Sequence, residues 1–342
     1  MARSWILRKG SQKIGFRYLR EGGRGVRESR SLARFDQLRV PPAWRDVHIA
    51  TDAGRAIQAW GFDARGRKQY RYNDKAVEKR ELRKYHRVRQ LAKALPTIRR
   101  TLRAQSNSRK LTCETTCAIA LRLISEGLFR PGSEKYVREN RSYGMTTLRK
   151  RHVRVERGRA LFTYMGKSSQ KQRQLLTNAE LVRLVARMLR TPGERLFRYR
   201  EGGKWCDLNA PTLIAYLRQH LGPFAVKDFR TWGGTLRAAI VLAELGPARS
   251  PIDAKRNVAL AMRIVATELG NTPAICRSSY VHPMVLARYT DEGETIGIKP
   301  GQGPRSADGF AHSPDERALI AFLDRHFPER RSRSRPLVAR AA

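Results

Sequence analysis

Acidic residues are scarce in this chain: 30 Asp and Glu stand against 70 Lys and Arg in 342 residues, a formal net charge of +40. An excess of that size is hard to carry on a surface without an anionic partner, and nucleic acid is the first candidate. Long apolar runs are missing as well. No stretch approaches the roughly 18 consecutive apolar residues that a membrane-spanning helix needs, and no basic amphipathic segment carries the long apolar face of a membrane-surface binder. The opening Met1-Ala2-Arg3-Ser4-Trp5 leads into mixed polar sequence with no signal-peptide core, so a cytoplasmic, nucleoid-associated location is expected. Cysteine is sparse. Cys113, Cys117, Cys206 and Cys276 are too few and too scattered for a disulfide framework. Cys113 and Cys117 sit one helical turn apart and would make half a metal site, but no nearby His or Cys pair completes it, and reduced, partly buried thiols are expected instead.

Nucleotide and two-metal signatures are incomplete. Gly166-Lys167-Ser168 has the ending of a phosphate-binding loop, yet the earlier glycine that such a loop requires falls on Leu161. Gly23-Arg24-Gly25 and Gly301-Gln302-Gly303 both lack the third glycine of a dinucleotide fingerprint. No cluster of Asp and Glu suits two-metal phosphodiester chemistry. A chain of this composition that cuts nucleic acid is expected to do so with no cofactor and no metal.

The chain is long enough for about two domains. Short β-like segments at 5–7, 14–18, 47–49, 57–60 and 69–72, punctuated by Gly22-Gly23, Pro41-Pro42, Asp52-Ala53-Gly54 and Arg65-Gly66, read as a small, mainly β domain. From Asn73 the period changes: Val77, Leu82, Tyr85, Val88, Leu91 and Leu95 recur at helical spacing, and Pro96 is expected to end or kink that helix. Helices are expected at 111–129, 178–189, 210–221, 227–245, 254–269 and 313–327. A β insertion is expected at 152–176, with a turn at Gly158 and a third short strand after Ser169. The expected organisation is α+β: a β domain over 1–88, a mostly helical domain over 89–328, and a disordered basic Arg/Ser tail over 329–342.

Metal-free cleavage of a phosphodiester needs a side-chain nucleophile, cationic or hydrogen-bonding groups for the charge that builds on phosphorus, and an acid for the departing oxygen. Arg suits the second task because it stays protonated and contacts two oxygens at once. Lys serves as the acid when neighbouring cations and burial lower its pKa, and crowded arginines favour a tyrosine's phenolate. Three segments offer these groups: Leu128-Phe129-Arg130-Pro131-Gly132, Lys227-Asp228-Phe229-Arg230-Thr231-Trp232-Gly233, and Gly270-Asn271-Thr272-Pro273 followed by Cys276-Arg277-Ser278-Ser279-Tyr280. With Gly166-Lys167 in the β insertion, this order of Arg, Lys, Arg, Asn and Tyr resembles the type IB DNA topoisomerases of the compact poxvirus and bacterial kind. The resemblance runs over about residues 40–283 and includes Gly66-Arg67-Lys68-Gln69-Tyr70-Arg71-Tyr72.

The resemblance implies the helical catalytic fold shared with tyrosine recombinases, preceded by a β domain that clamps DNA. It implies Tyr280 as nucleophile, forming a 3′-phosphotyrosyl link, Lys167 as the acid for the 5′ oxygen, and Arg130 and Arg230 as clamps on the pentacoordinate transition state. Asn271 stands where many relatives carry His, a departure that bacterial members tolerate; an amide donates a hydrogen bond but cannot titrate. Arg67, Gln69, Tyr70, Tyr72, Lys135, Tyr136 and Lys227 match DNA-contacting positions, and strand alternation would place Tyr70 and Tyr72 on one face. The seven histidines, His282 among them, fall outside the family's catalytic positions, so surface or supporting roles are expected. The implied partner is double-stranded DNA, bound by a monomer. Two alternatives stand beside this reading. A recombinase usually begins the second Arg motif with His, where this chain has Lys227, and carries a helical rather than a β first domain. A DNA-packing protein would need the charge but not the ordered set.

Overall fold

Alternation of apolar and polar residues in the first seventy positions builds strands, and in the computed structural model, which describes residues 5–298 and 309–327, each expected strand is present. The expected basic tail and Gly301 to Gly303 lie outside the described residues. The chain divides into two units, the first ending at Lys84 and the second beginning at Tyr85.

In the first unit, β1 (Trp5–Ser11), β2 (Gly15–Leu19), β3 (Arg45–Ala50), β4 (Ile57–Phe62) and β5 (Lys68–Tyr72) form one antiparallel sheet in the order β2-β1-β3-β4-β5. A helix that the sequence reading missed, α1 (Ser29–Gln37), adds Phe35 to a small core of Ile6, Val26, Val47, Ile49 and Ala59. On the edge strand β5, Tyr70 and Tyr72 share the exposed face, as the period of two requires, and take no part in that core.

Helix α2 (Asp74–Ser106) starts in the first unit and runs on into the second. It does not end at Pro96, contrary to one of the two outcomes expected. A proline has no N–H to offer the carbonyl four residues back. That carbonyl belongs to the fully buried Ala92, and the His312 ring Nε2, at 2.7 Å, donates to it instead. A distant side chain thus supplies the bond that the helix loses.

The second unit is mostly helical and builds one core. At its centre α3 (Cys113–Gly127) buries nearly every residue from Thr115 to Ile124. On it pack α5 (Ala179–Leu189), α6 (Ala210–Leu221) and α7 (Val226–Leu245); α8 (Pro251–Leu269) and α11 (Pro314–His326) pack on α7, α9 (Pro273–Ser279) and α10 (Pro283–Glu292) pack on α8, and α4 (Glu134–Asn140) follows α3 in the chain. The β insertion is a three-stranded antiparallel sheet, β6 (Val153–Glu156), β7 (Arg159–Met165) and β8 (Lys171–Leu176), whose alternating inner residues Ala160, Phe162 and Tyr164 enter the core. A further hairpin, β9 (Arg198–Glu201) and β10 (Lys204–Asp207), also escaped the sequence reading. Cys113 and Cys117, like the other two cysteines, are free thiols. Among the described residues no helix is long and apolar enough to cross a membrane.

Candidate active site

Arg130 lies three residues beyond the end of α3. The helix stops at Gly127, Leu128 turns left-handed at φ 53°, and Phe129 plants its ring against Phe162 at 4.9 Å, which leaves Arg130 to emerge at a fixed angle. Its backbone is gripped from outside: the Arg130 carbonyl accepts from the Met145 N–H at 2.7 Å, and the Pro131 carbonyl from Thr146 at 2.8 Å. The Arg130 Nη2 then donates to the Gly270 carbonyl at 3.0 Å and to Asn271 Oδ1.

Arg230 lies on the first turns of α7 and is only 2% exposed. Its Nη1 donates to the Leu128 carbonyl and its Nη2 to the Leu269 carbonyl at 2.9 Å. The two arginines therefore draw together the same two segments, 128–130 and 269–271, and neither has a carboxylate among its described hydrogen-bond partners. Burial lowers the Arg230 pKa, the adjacent Arg130 charge lowers it further, and the nearby Tyr280 opposes both. A guanidinium so placed keeps its proton and presents uncompensated positive charge.

The loop after α8 delivers the remaining groups. Gly270 closes α8, the Thr272 hydroxyl caps α9, and Pro273 starts that short helix with a backbone angle already suited to it. Tyr280 follows its last turn, with the Tyr280 N–H on the Cys276 carbonyl at 2.9 Å. Just beyond, the His282 N–H donates to Thr235 Oγ1 of α7 at 3.0 Å, which pins the segment. The Tyr280 ring centroid lies 5.0 Å from Arg230 Cζ and 5.2 Å from Lys227 Nζ. Burial pushes the Tyr280 phenol up, but the charge and hydrogen bond of Arg230, with Lys227 and Arg130, outweigh it, and the net shift is downward.

A second phenol shows what that arrangement achieves. Tyr164 feels the same two arginines, yet burial dominates and holds it up at about 12; its hydroxyl donates to Gln174 Oε1 at 3.0 Å. Cys276, fully buried beside the Asn271 amide, is likewise pushed up to about 11 by burial. The Asn271 Nδ2 is buried without an oxygen acceptor. Arg130 occupies Oδ1, and the donor end of the amide is turned to the Cys276 thiol.

Arg130, Arg230, Asn271, Tyr280 and Lys227 are thus brought together. Lys167 is not: it sits exposed on the turn between β7 and β8 and makes no described contact with the other five. Tyr136 is 56% exposed on α4, and Lys135 reaches Glu139 at 3.9 Å. In the first unit the Tyr70 and Tyr72 rings stack with centroids 5.9 Å apart. Arg67 and Gln69 both bond Asp63, whose carboxyl is pulled down to about 2, chiefly by Arg67. His282, expected in a surface or supporting role, is 1% exposed and caps α10 through Nδ1 at 3.2 Å from the Met284 nitrogen. The sequence reading missed the Leu128 and Leu269 carbonyls, Cys276 and Tyr164. Of these only Cys276 had a readable signal, one helical turn before Tyr280.

Residues 68–299 match the family model of the eukaryotic DNA topoisomerase I catalytic core, and residues 15–63 that of the bacterial DNA topoisomerase IB N-terminal domain. The chain belongs to the type IB DNA topoisomerases. Among relatives of this topoisomerase, the DNA topoisomerase 1B of Acanthamoeba polyphaga mimivirus is 31% identical over 275 residues, covering 78% of this chain and 82% of its own. The DNA topoisomerase 1B of vaccinia virus is 23% identical over 246 residues, 68% of this chain and 72% of its own. Membership decides between the topoisomerase and recombinase readings of the same Arg, Lys, Arg, Tyr order, and against a packing protein without enzymatic function.

Proposed function

We propose that this topoisomerase relaxes supercoiled duplex DNA without ATP or metal, through a 3′-phosphotyrosyl intermediate. The Tyr280 phenol releases its proton to solvent, its oxygen attacks the scissile phosphorus, the bond to the 5′ oxygen breaks, and Lys167 gives that oxygen a proton. Arg130 and Arg230 hold the nonbridging oxygens, and Asn271 donates its Nδ2 hydrogen to one of them. The bond energy is kept in the phosphotyrosine ester, so the 5′ hydroxyl can reverse the step after torsion has turned the free end about the intact strand.

The observation that carries this reading is the gathering of Arg130, Arg230 and Lys227 about one phenol, whose pKa their charges lower against its burial, with Asn271 held beside them by Arg130. Cations and an amide donor repel a metal ion and attract an anion, which suits a phosphodiester. The first unit, with Arg67, Gln69, Tyr70 and Tyr72, and α4, with Lys135 and Tyr136, supply further DNA contacts; Lys227 adds one beside Tyr280. The enzyme works as a monomer clamped on the duplex, in the cytoplasm at the nucleoid, and each phosphate it neutralises adds about −0.9 to the log–log salt slope of binding.

Incubation with supercoiled plasmid in EDTA without ATP, then denaturation, tests it. Relaxation with protein trapped on the DNA 3′ end is expected. The Tyr280→Phe variant is expected to bind DNA and relax none; relaxation by that variant overturns the assignment of the nucleophile.

A further inference from the structure

Lys167 is the one assigned catalytic group that stands apart, and the turn bearing it is not one the backbone would choose. Ser168 and Ser169 follow it at φ 60° and φ 55°, two successive non-glycine residues in the left-handed region. Each such residue costs roughly 1 kcal/mol or more, so a turn of this shape persists only where its surroundings hold it. The Gly166 N–H to the Gln170 carbonyl, at 2.8 Å, closes the turn but fixes it to nothing else.

One buried side chain does reach from this turn to the catalytic floor. Gln172, on β8 and 5% exposed, faces the core beside Tyr164, its partner in register. Its Cγ packs so tightly on the Gly166 backbone that a Cβ there would lie 2.6 Å away. Its Oε1 fills the space that a side chain on Gly270 would take. Gly166 immediately precedes Lys167. Gly270 immediately precedes Asn271, and its carbonyl receives Arg130. The Gln172 side chain therefore touches the backbone next to the assigned acid and the backbone next to the assigned amide, at two glycines where any side chain would expel it.

We propose that Gln172 is a positioning residue, the latch that sets the Lys167 turn against the Gly270–Asn271 loop so that the ammonium meets the 5′ leaving oxygen. The proposal rests on the reading of Lys167 as the acid. It acts only on the step in which the bond from phosphorus to the 5′ oxygen breaks and the Lys167 proton passes to that oxygen. Its loss therefore matters in proportion to how badly the leaving group needs a proton.

Leaving-group dependence tests this. Single-turnover cleavage is measured on a duplex with the natural 5′ oxygen at the scissile bond and on one with sulfur in its place; a thiol, with a pKa of about 8.5, departs as thiolate without an acid. Lys167→Ala is expected to be slow on oxygen, by roughly 10²-fold or more, and near wild type on sulfur. Gln172→Ala is expected to show the same pattern at roughly a tenth of the defect, and Gln172→Met, which keeps the bulk, a smaller one still. Gly166→Ala should also be slow on oxygen because its methyl meets Gln172, and pairing it with Gln172→Ala should make it no slower than Gln172→Ala alone. If sulfur fails to rescue Lys167→Ala, the acid assignment itself falls. If sulfur rescues Lys167→Ala while the Gln172 and Gly166 variants are unimpaired on oxygen, or equally slow on both duplexes, the latch is wrong and the acid stands. Should Gln172→Ala not fold, Gln172→Met and Gly166→Ala decide the question by the same readout.

Discussion

The N-terminus of α7 carries a charge pair that should set stability without touching chemistry. Asp228, 1% exposed at its side chain, accepts from the Ala225 N–H at 2.7 Å and so fixes the start of the helix. Arg87 grips the same carboxylate with Nε to Oδ2 at 2.6 Å and Nη2 to Oδ1 at 2.9 Å. The Asp228 hydrogen bond dominates the Arg87 pKa and raises it above the usual guanidinium value against the cost of burial. Arg87→Ala leaves a buried carboxylate with only its cap. Breaking a fully buried pair costs about 3–5 kcal/mol, but the Arg87 side chain is 37% exposed, so water re-enters and about 2–3 kcal/mol is the appropriate figure. In a unit of this size that lowers the melting temperature by roughly 5–10 °C.

Catalysis should respond differently. Arg230 stands two residues beyond Asp228 but is held by the Leu128 and Leu269 carbonyls, which do not depend on the helix cap. Single-turnover cleavage by folded Arg87→Ala, measured well below its melting temperature, is expected within about threefold of wild type, a change of under 1 kcal/mol in barrier. Calorimetry and cleavage kinetics on the same sample separate the two quantities. An unchanged melting temperature refutes the stability argument, and a hundredfold loss of cleavage in a well-folded variant shows that Arg230 is positioned through the cap rather than by the carbonyls.

Asn271→Ala should slow cleavage by roughly 10²-fold, the usual loss for one transition-state donor, whereas Asn271→His, which restores a donor, should lose far less; rapid-quench kinetics distinguish them. Lys227→Ala removes one of the cations that lower the Tyr280 phenol, so the rise of cleavage rate with pH should move to higher pH. A pH profile that stays in place, or moves to lower pH, means that the Lys227 charge is not felt at the ring. His312→Ala strips the donor from the Ala92 carbonyl and should cost about 1–3 kcal/mol. In a Pro96→Ala background, where the helix regains its own N–H, the cost should shrink, and a double-mutant cycle in denaturant measures the difference.

The sequence offered Arg130, Lys167, Arg230, Asn271 and Tyr280 as one candidate site because each sits in a short recognisable context; the fold gathers Arg130, Arg230, Asn271 and Tyr280 and leaves Lys167 apart. What periodicity could not read were elements too short to show it. Helices α9 and α10 span 7 and 10 residues, and their real signals are the Thr272-Pro273 and His282-Pro283 starts. The same signal, Ser250-Pro251, puts the beginning of α8 three residues before the expected Ala254. The hairpin of β9 and β10 has its sequence signal in Gly202-Gly203 between aromatic-bearing runs. The local rule for Pro96 cannot see His312, which lies 220 residues from Ala92 in the chain. The partners of Arg230 were beyond any sequence argument, since backbone carbonyls carry no residue identity.

In a chain with 70 basic residues the problem is to tell a functional arginine from the rest. Burial does not do it, and neither does bonding to carbonyls. Arg8 is buried and donates to the Val40, Pro41 and Trp44 carbonyls, a single cation tying down a loop. Arg99 and Arg122 have carboxylates, Glu316 and Glu180, to neutralise them. What separates Arg130 and Arg230 is that they stand side by side, the Arg130 charge adding to the cost of burying Arg230, with only neutral oxygens as described hydrogen-bond partners and the Tyr280 ring near both Arg230 and Lys227. Protein folding alone gives no reason to keep like charges together in a place shielded from water. An arriving phosphodiester does, because its anion relieves that repulsion, and relieves it most when a further negative charge develops on phosphorus in the transition state.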